Sequence, residues 1–396
     1  MVLGPPVPLE YVGREQAYVK HYFLRSYLQR LVHKVGSFSS RVVYIDGFSG
    51  PWKSNAENYS DTSFGIALKA LTEAKESWAN MPDPMLRRSI DMSAHLVESD
   101  SDAFAQLKQI GGHFPKVEVI PYRGDFLAIA PRIARVIPSN AFSFVLVDPK
   151  GFAIDLMALK PLLGRDRCEV VFNFMFDFAN RFTNLPQLKP VFDELLPGVD
   201  WRSELAKLED DPRTTPEDRK NAFLSWFKQS VRAVGGYKYV ADVDIQYPGR
   251  ERTFYFLVYG TRRPAGIEVF RDCQVQALEE QSDVSGRLQV QAAEARGQGE
   301  LLGSMNQMRE PPLKAFLRRE SEAARQQLLA AIPDSTNRAR WGDLWPEILA
   351  DRVIRKGQLG RLVNDLRKAG TLSIPAWSSN RKQVPDDDYV IAKPSV

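Results

Sequence analysis

VVYIDGFSGPW, residues 42–52, sets four apolar, β-favouring side chains, Val42 to Ile45, directly against a turn built on Gly47 and Gly50. Asp46 stands at the junction, a carboxylate at the mouth of what the pattern predicts to be a buried parallel strand. Two explanations compete for such a turn. The Asp caps a following helix by accepting backbone N–H groups, or the strand end receives a nucleotide-like ligand.

Four more apolar runs repeat the design downstream: SAHLVESD ending at Glu98, VEVIPYRGDF ending at Gly124-Asp125, FSFVLVDPKGF ending at Asp148-Pro149, and EVVFNF. Helical spacing fills the gaps at 14–36, from Thr62 onward, through Phe104 and Leu107, over FLAIAPRIARVI, and over Asp155–Leu163. Short strands alternating with helices predict a parallel sheet covered on both faces. After the fifth run, residues 178–215 are mixed and polar, and a helix over 220–233 leads to YKYVADVDIQY and RTFYFLVYGT. These two runs, separated by PGRE, predict a hairpin closing the sheet edge. The expected fold is α/β: a class I methyltransferase (Rossmann-like) seven-stranded sheet with a terminal antiparallel hairpin.

A separate unit is expected from about Pro311. AARQQLLAAI, WGDLWPEILA and KGQLGRLVNDLRKAGTL give three helical patterns, and LSIPAWSS with DDYVIAK gives a small hairpin. That is the layout of a C-terminal winged helix-turn-helix domain. The expected boundaries are 1–300 for the methyltransferase-like domain, with 178–225 as a helical cap insertion, and 311–396 for the winged helix.

The composition, 44% hydrophobic and 26% charged over 396 residues, is that of a globular protein of two domains. No apolar run approaches bilayer length, so no membrane is expected. The opening MVLGPPVPLEYVGREQ lacks a secretion signal's layout. Cys168 and Cys273 make no disulfide framework, and with four scattered histidines no metal site is expected. A reducing, cytoplasmic setting fits. The net charge of +4 permits nucleic-acid binding without demanding it.

Asp46, Glu98, Asp125 and Asp148 end four successive runs, one carboxylate per βα unit. S-adenosylmethionine gives each of them a task. Asp46, with the Phe48-Ser49-Gly50 turn, would organise the methionine part. Glu98 would accept from the ribose hydroxyls, as the acidic residue of dinucleotide folds does. Asp125 would accept from the adenine amine, with Phe126 packed nearby, and Asp148 would face the methyl group. A single Asp at such a place is more often a helix cap, the role expected of Asp100 and Asp155; four in succession favour the ligand site. G-x-G-x-x-G is absent, and no GK[ST] follows the first turn, which argues against dinucleotide and P-loop chemistry. At the fourth turn, Asp148 and the Pro149 carbonyl would hold a substrate amine, while Phe152 either stacks on its base or joins the core.

KHYFLRSYLQRL, VVYIDGFSGPW, SFGIALKAL, HLVESD, LVDPKGF and YFLVYGTRRPAGIEVFRD, in that order, resemble the three-Cys-motif partner (TcmP) proteins. The resemblance implies a class I methyltransferase-like domain with a C-terminal winged helix, nucleic acid as substrate, and a partner carrying a three-cysteine motif. Two positions depart from the family. Trp52 replaces a glycine of the first turn, where an indole would fill or cover the cofactor space. Lys150 replaces the aromatic of the fourth turn, where it would contact phosphate rather than stack. Lys20, in the helix before the first strand, would reach a phosphate or the cofactor carboxylate, or point to solvent.

Residues 301–396 hold sixteen Lys/Arg against eleven Asp/Glu, an excess larger than that of the whole chain. Lys356, Arg361, Arg367 and Lys368 on the third helix, with Arg381 and Lys382 on the wing, suit DNA or RNA. Asp386-Asp387-Asp388 would repel phosphate, and Trp341, Leu344, Trp345 and Ile348 are expected in the core. The expected activity is methyl transfer to a base amino group in nucleic acid. The alternative is an inactive fold serving as a nucleic-acid-binding or partner-binding regulator.

Overall fold

The computed structural model describes all residues except 1–4, 51–53, 55, 57–58, 176–186, 188, 248, 251, 296–310, 334–337, 376, 378–381, 385 and 395–396. Trp52 and Arg381 lie outside the described residues, as does much of the start of the expected cap. The chain divides into two compact units, Met1–Arg262 and Arg263–Val396.

In the first unit, strands β1 (Arg41–Asp46), β2 (Asp91–Glu98), β3 (Glu118–Arg123), β4 (Phe142–Val147) and β5 (Cys168–Phe174) run parallel. Strands β6 (Tyr239–Gln246) and β7 (Thr253–Thr261) form the expected antiparallel hairpin, and β7 pairs antiparallel with β5. The order β3-β2-β1-β4-β5-β7-β6 is that of the class I methyltransferase fold. Every residue of β4 and β5 is buried, the mark of strands covered on both faces. Chain direction across the sheet reverses between β1 and β4, where Asp46 pairs in register with Leu146. Ligands of open parallel sheets bind beyond such a reversal.

The α-helices of this unit among the described residues are α1 (Glu15–Gly36), α2 (Ser63–Ala79), α3 (Ser101–Leu107), α4 (Phe126–Val136), α5 (Lys160–Leu163), α6 (Lys189–Leu195), α7 (Trp201–Asp210) and α8 (Pro216–Gly235). The helix expected over Asp155–Leu163 shrinks to α5, because Pro161 stands in its first turn and cannot sit deeper in a longer helix. Asp155 is an N-terminal cap on the preceding turn, accepting from Met157 N at 2.8 Å. Asp100 caps α3 in the same way. Within residues 178–225, α7 ends at Asp210, and a capping box of Thr215 and Asp218 opens α8. Phe192, Leu195 and Trp201 of this segment join the core cluster of β5 and α8.

A buried polar clamp fixes α1 to the sheet. The Tyr27 hydroxyl donates to Glu169 Oε2 at 2.6 Å, and Thr261 Oγ1 donates to Glu169 Oε1 at 2.8 Å. Burial raises the Glu169 carboxyl above its ordinary range even so. Tyr255 adds a second tie, donating to the Gln16 carbonyl at 3.0 Å.

The second unit contains α9 (Pro264–Ala295), α10 (Pro312–Ala331), α11 (Trp341–Asp351) and α12 (Lys356–Lys368). Sequence pattern assigns residues 264–295 to the first domain; here they cluster with the C-terminal unit. The reason is Arg271, 2% exposed, whose guanidinium donates to the Leu349 and Ala350 carbonyls at the end of α11. Trp341, Leu344, Trp345 and Ile348 are buried, as their spacing predicts. Strand β9 (Val390–Ile391) pairs with a short β8 (Ala339–Arg340) that sequence pattern does not reveal, and Ser373 bridges Ala392. Among the described residues, no helix is long and apolar enough to cross a membrane, and no cluster of three or more His, Cys, Asp or Glu could hold a metal.

Candidate functional site

At the carboxyl ends of β1, β2, β3 and β4 lies a cavity of about 600 Å³. Of the residues singled out by sequence, Phe48, Gly50, Glu98, Asp125, Phe126, Asp148, Pro149 and Lys150 line it. The strand-end positions therefore converge on one rim, but their carboxylates are not equivalent.

Asp46 does not line the cavity. It is fully buried, and its oxygens accept from Tyr44 Oη (3.0 Å), Ser63 Oγ (2.7 Å) and Phe48 N (3.0 Å). Burial pushes its carboxyl up, against those hydrogen bonds, and the nearby Asp148 charge adds to the rise. Asp46 thus ties the first turn to α2, and the expectation that it meets the ligand directly does not hold. The turn itself is pulled close: Gly47 N donates to the Leu146 carbonyl at 3.1 Å, and Ser49 N to the Val97 carbonyl at 2.8 Å. A Cβ at Gly47 would stand 2.4 Å from the Phe126 ring, so only glycine lets the turn lie on that ring.

Glu98 is 3% exposed. Its Oε1 accepts from Asp100 N at 2.7 Å and from Ser99 Oγ, while Oε2 receives no hydrogen bond from the described residues. One oxygen aims the side chain and the other is left for a ligand. Asp125 is exposed: its Oδ1 caps α4 by accepting from Ala128 N at 3.1 Å, and the residue lines the cavity. Phe48 meets Phe126 edge to face at 5.8 Å between centroids, giving the rim an aromatic wall.

Asp148 is bound from two sides. Lys20 Nζ lies 2.6 Å from Oδ2, and Asn173 Nδ2 donates to Oδ1. Both ion-paired side chains are under one-fifth exposed, so Lys20 is part of the site rather than a solvated lysine of α1. Phe152 does not stack over the site. Its ring, partly buried, packs 5.3 Å from Phe192 against the core. Lys150 is exposed at the rim.

Several lining residues carry no signal in the sequence, because they come from the segments flanking β1. Arg14 pairs with Asp61 at 3.0 Å, and Asp61 also accepts from Ser54 Oγ. His21 lines the wall, with Nδ1 3.1 Å from the Tyr11 hydroxyl. Burial, aided by the cations of Lys20, Arg14 and Arg25, holds its imidazole well below the usual histidine range, so it is neutral.

A second cavity of about 470 Å³ adjoins the first and shares Pro149 and Lys150 with it. Lys20, Asn173, Met175, Phe254 and Tyr255 also line it, with Gln16, Ala17 and Gly151. Asp148, with its two partners, forms the partition between the two spaces.

No family model matches the chain, and no curated protein matches it. Its likeness is to solved structures. A DUF574 family protein from Streptomyces avermitilis shares 12% identity over 60% of this chain and 82% of its own, with a TM-score of 0.33. An O-methyltransferase from Bacillus cereus, in complex with SAH, shares 12% over 64% and 84%, at 0.30. A precorrin-6Y C5,15-methyltransferase from Geobacter metallireducens shares 12% over 59% and 87%, at 0.25. At such values the strand order, not superposition, carries the fold.

Proposed function

We propose that this chain is an S-adenosylmethionine-dependent methyltransferase acting on a base amino group in nucleic acid. The observation that carries the reading is Glu98: a buried carboxylate on the second strand end, oriented by the Asp100 amide, with Oε2 left for the two ribose hydroxyls. The residues present fit the cofactor. Gly47 and Gly50 line the cavity, Phe48 and Phe126 offer an aromatic wall to the adenine, and Asp125 keeps one oxygen beyond its cap. When bound, the cofactor supplies an electrophilic methyl group; the chain's own residues bind, align and exclude water.

The second unit is proposed to be the winged helix-turn-helix module that engages DNA or RNA, with α12 as its recognition helix. Arg361, Lys368 and Lys382 are exposed there. A partner bearing a three-cysteine motif belongs to the same reading. One observation favours the alternative of an inactive regulator: the Asp148 carboxylate is engaged by Lys20 and Asn173. Transfer of labelled methyl groups to nucleic acid separates the two.

Calorimetry with S-adenosylhomocysteine tests the core of the proposal. The wild-type chain should bind it, and Glu98→Ala should weaken binding about a hundredfold, roughly 2.7 kcal/mol. Absence of wild-type binding would sink the cofactor reading.

A further inference from the structure

We propose that Asn173 Oδ1, rather than the Asp148 carboxylate, receives the N–H of the acceptor amine in the second cavity. The inference rests on the methyltransferase reading above and assigns its substrate side. An ionised carboxylate only accepts hydrogen bonds, so Asn173 must present Nδ2 to Asp148, which turns Oδ1 the other way. Asn173 is 7% exposed and lines the second cavity; its Oδ1 is itself buried, with no hydrogen-bond partner among the described residues, so a donor reaches it as the wall gives. An unsatisfied buried acceptor costs about 1–3 kcal/mol. A donor arriving in the cavity would relieve that cost.

The same geometry selects the type of nucleophile. Methylation of an alcohol calls for a base to remove a tightly held proton, and the Asp148 carboxylate beside the cavity is ion-paired with Lys20 and hydrogen-bonded by Asn173. An aromatic amine needs only to be oriented, because its lone pair attacks and its proton leaves to water afterwards. A neutral amide oxygen suffices for that. Phe254 and Pro149 offer apolar faces to a planar ring, and Lys150 at the rim suits the phosphate attached to it. Lys20 acts as a positioning residue: it holds the Asp148 carboxylate to which the Asn173 amide is bonded.

Homopolymers of RNA supply the test without knowledge of the natural sequence. Poly(A) and poly(G) carry exocyclic amines that poly(I) lacks, and poly(C) carries one that poly(U) lacks. Affinities are measured on the full chain by fluorescence, with S-adenosylhomocysteine binding measured in parallel. The wild-type chain should prefer the amine-bearing member of at least one pair about tenfold, and both Asn173→Ala and Asn173→Leu should erase the preference while cofactor-product binding persists. Equal affinities within every pair, or a preference that survives both substitutions, would overturn the assignment. Because the wild-type comparison needs no variant and no cofactor, its failure is distinct from a failure to bind S-adenosylhomocysteine.

Discussion

At the strand ends of the first unit, carboxylates are engaged in graded amounts. Asp46 has both oxygens bonded internally, Glu98 has one, and Asp148 is held by a lysine and an amide. On α12 of the second unit the cations divide in the same way. Lys356 binds Asp387 at 2.9 Å and lies 3.9 Å above the Trp345 ring, whereas Arg361 is exposed and makes no ion pair among the described residues. Arg340 and Asp388 pair as well, so two members of the acidic run are already neutralised rather than left to repel phosphate. In both regions, a count of charges overstates what is available to a ligand. Position decides: a strand end or exposed helix face frees a group, and a neighbour of opposite charge removes it.

The sharpest way to break this comparison is at Asp46. Asp46→Ala leaves the Tyr44 hydroxyl, Ser63 hydroxyl and Phe48 amide without their acceptor, and should lower stability by about 3–5 kcal/mol, read as a fall in the denaturation midpoint. Were Asp46 a direct ligand instead, the variant would keep its stability and lose only cofactor affinity. A second test uses pH. Burial holds His95, hydrogen-bonded to the Tyr122 hydroxyl, down at about 4. The unfolded chain takes up this proton near pH 6.5 and the folded chain only near 4, so the stability is whole above 6.5 and lost as pH falls through that window. Between pH 7 and 4.5 the loss should be about 2–3 kcal/mol. His95→Gln should flatten the curve by that amount in denaturation at both pH values, and an unchanged curve would show that His95 is not the sensor. The smallest effect is expected on α12. Lys356→Ala should cost about 1 kcal/mol of stability and leave nucleic-acid affinity unchanged, while Arg361→Ala should weaken binding and shallow its salt dependence by about one counterion. Equal binding losses for the two would erase the distinction between them.

The sheet was legible because buried parallel strands advertise themselves. FSFVLV and EVVFNF are largely apolar without strict alternation, and FSFVLV meets Asp148-Pro149 at its turn. Glu98, Asp125 and the Asp148-Pro149 turn could be placed on one rim for that reason. Asp46 was misassigned because sequence spacing cannot show that Tyr44 and Ser63 reach the same carboxylate. Phe152 and Lys20 show a similar limit. Phe152 packs against Phe192, a partner distant in the chain, and Lys20 pairs with Asp148, a partner outside both of the roles its sequence position suggests. Arg14, His21 and Asn173 gave no sign at all, since an arginine just before an amphipathic helix, a histidine on it and an asparagine near a strand end have ordinary explanations. Strand β8 was too short to form a pattern.

The clamp of Tyr27, Glu169 and Thr261 has a consequence for inheritance. Lys20 and Tyr27 share α1, seven residues or about 10 Å of helix axis apart. A single rigid rod is therefore pinned at one place and presents its working lysine at another. Drift in the anchor must be transmitted to the lysine, so substitutions around Glu169, remote from both cavities, should prove as constrained by natural selection as the rim itself.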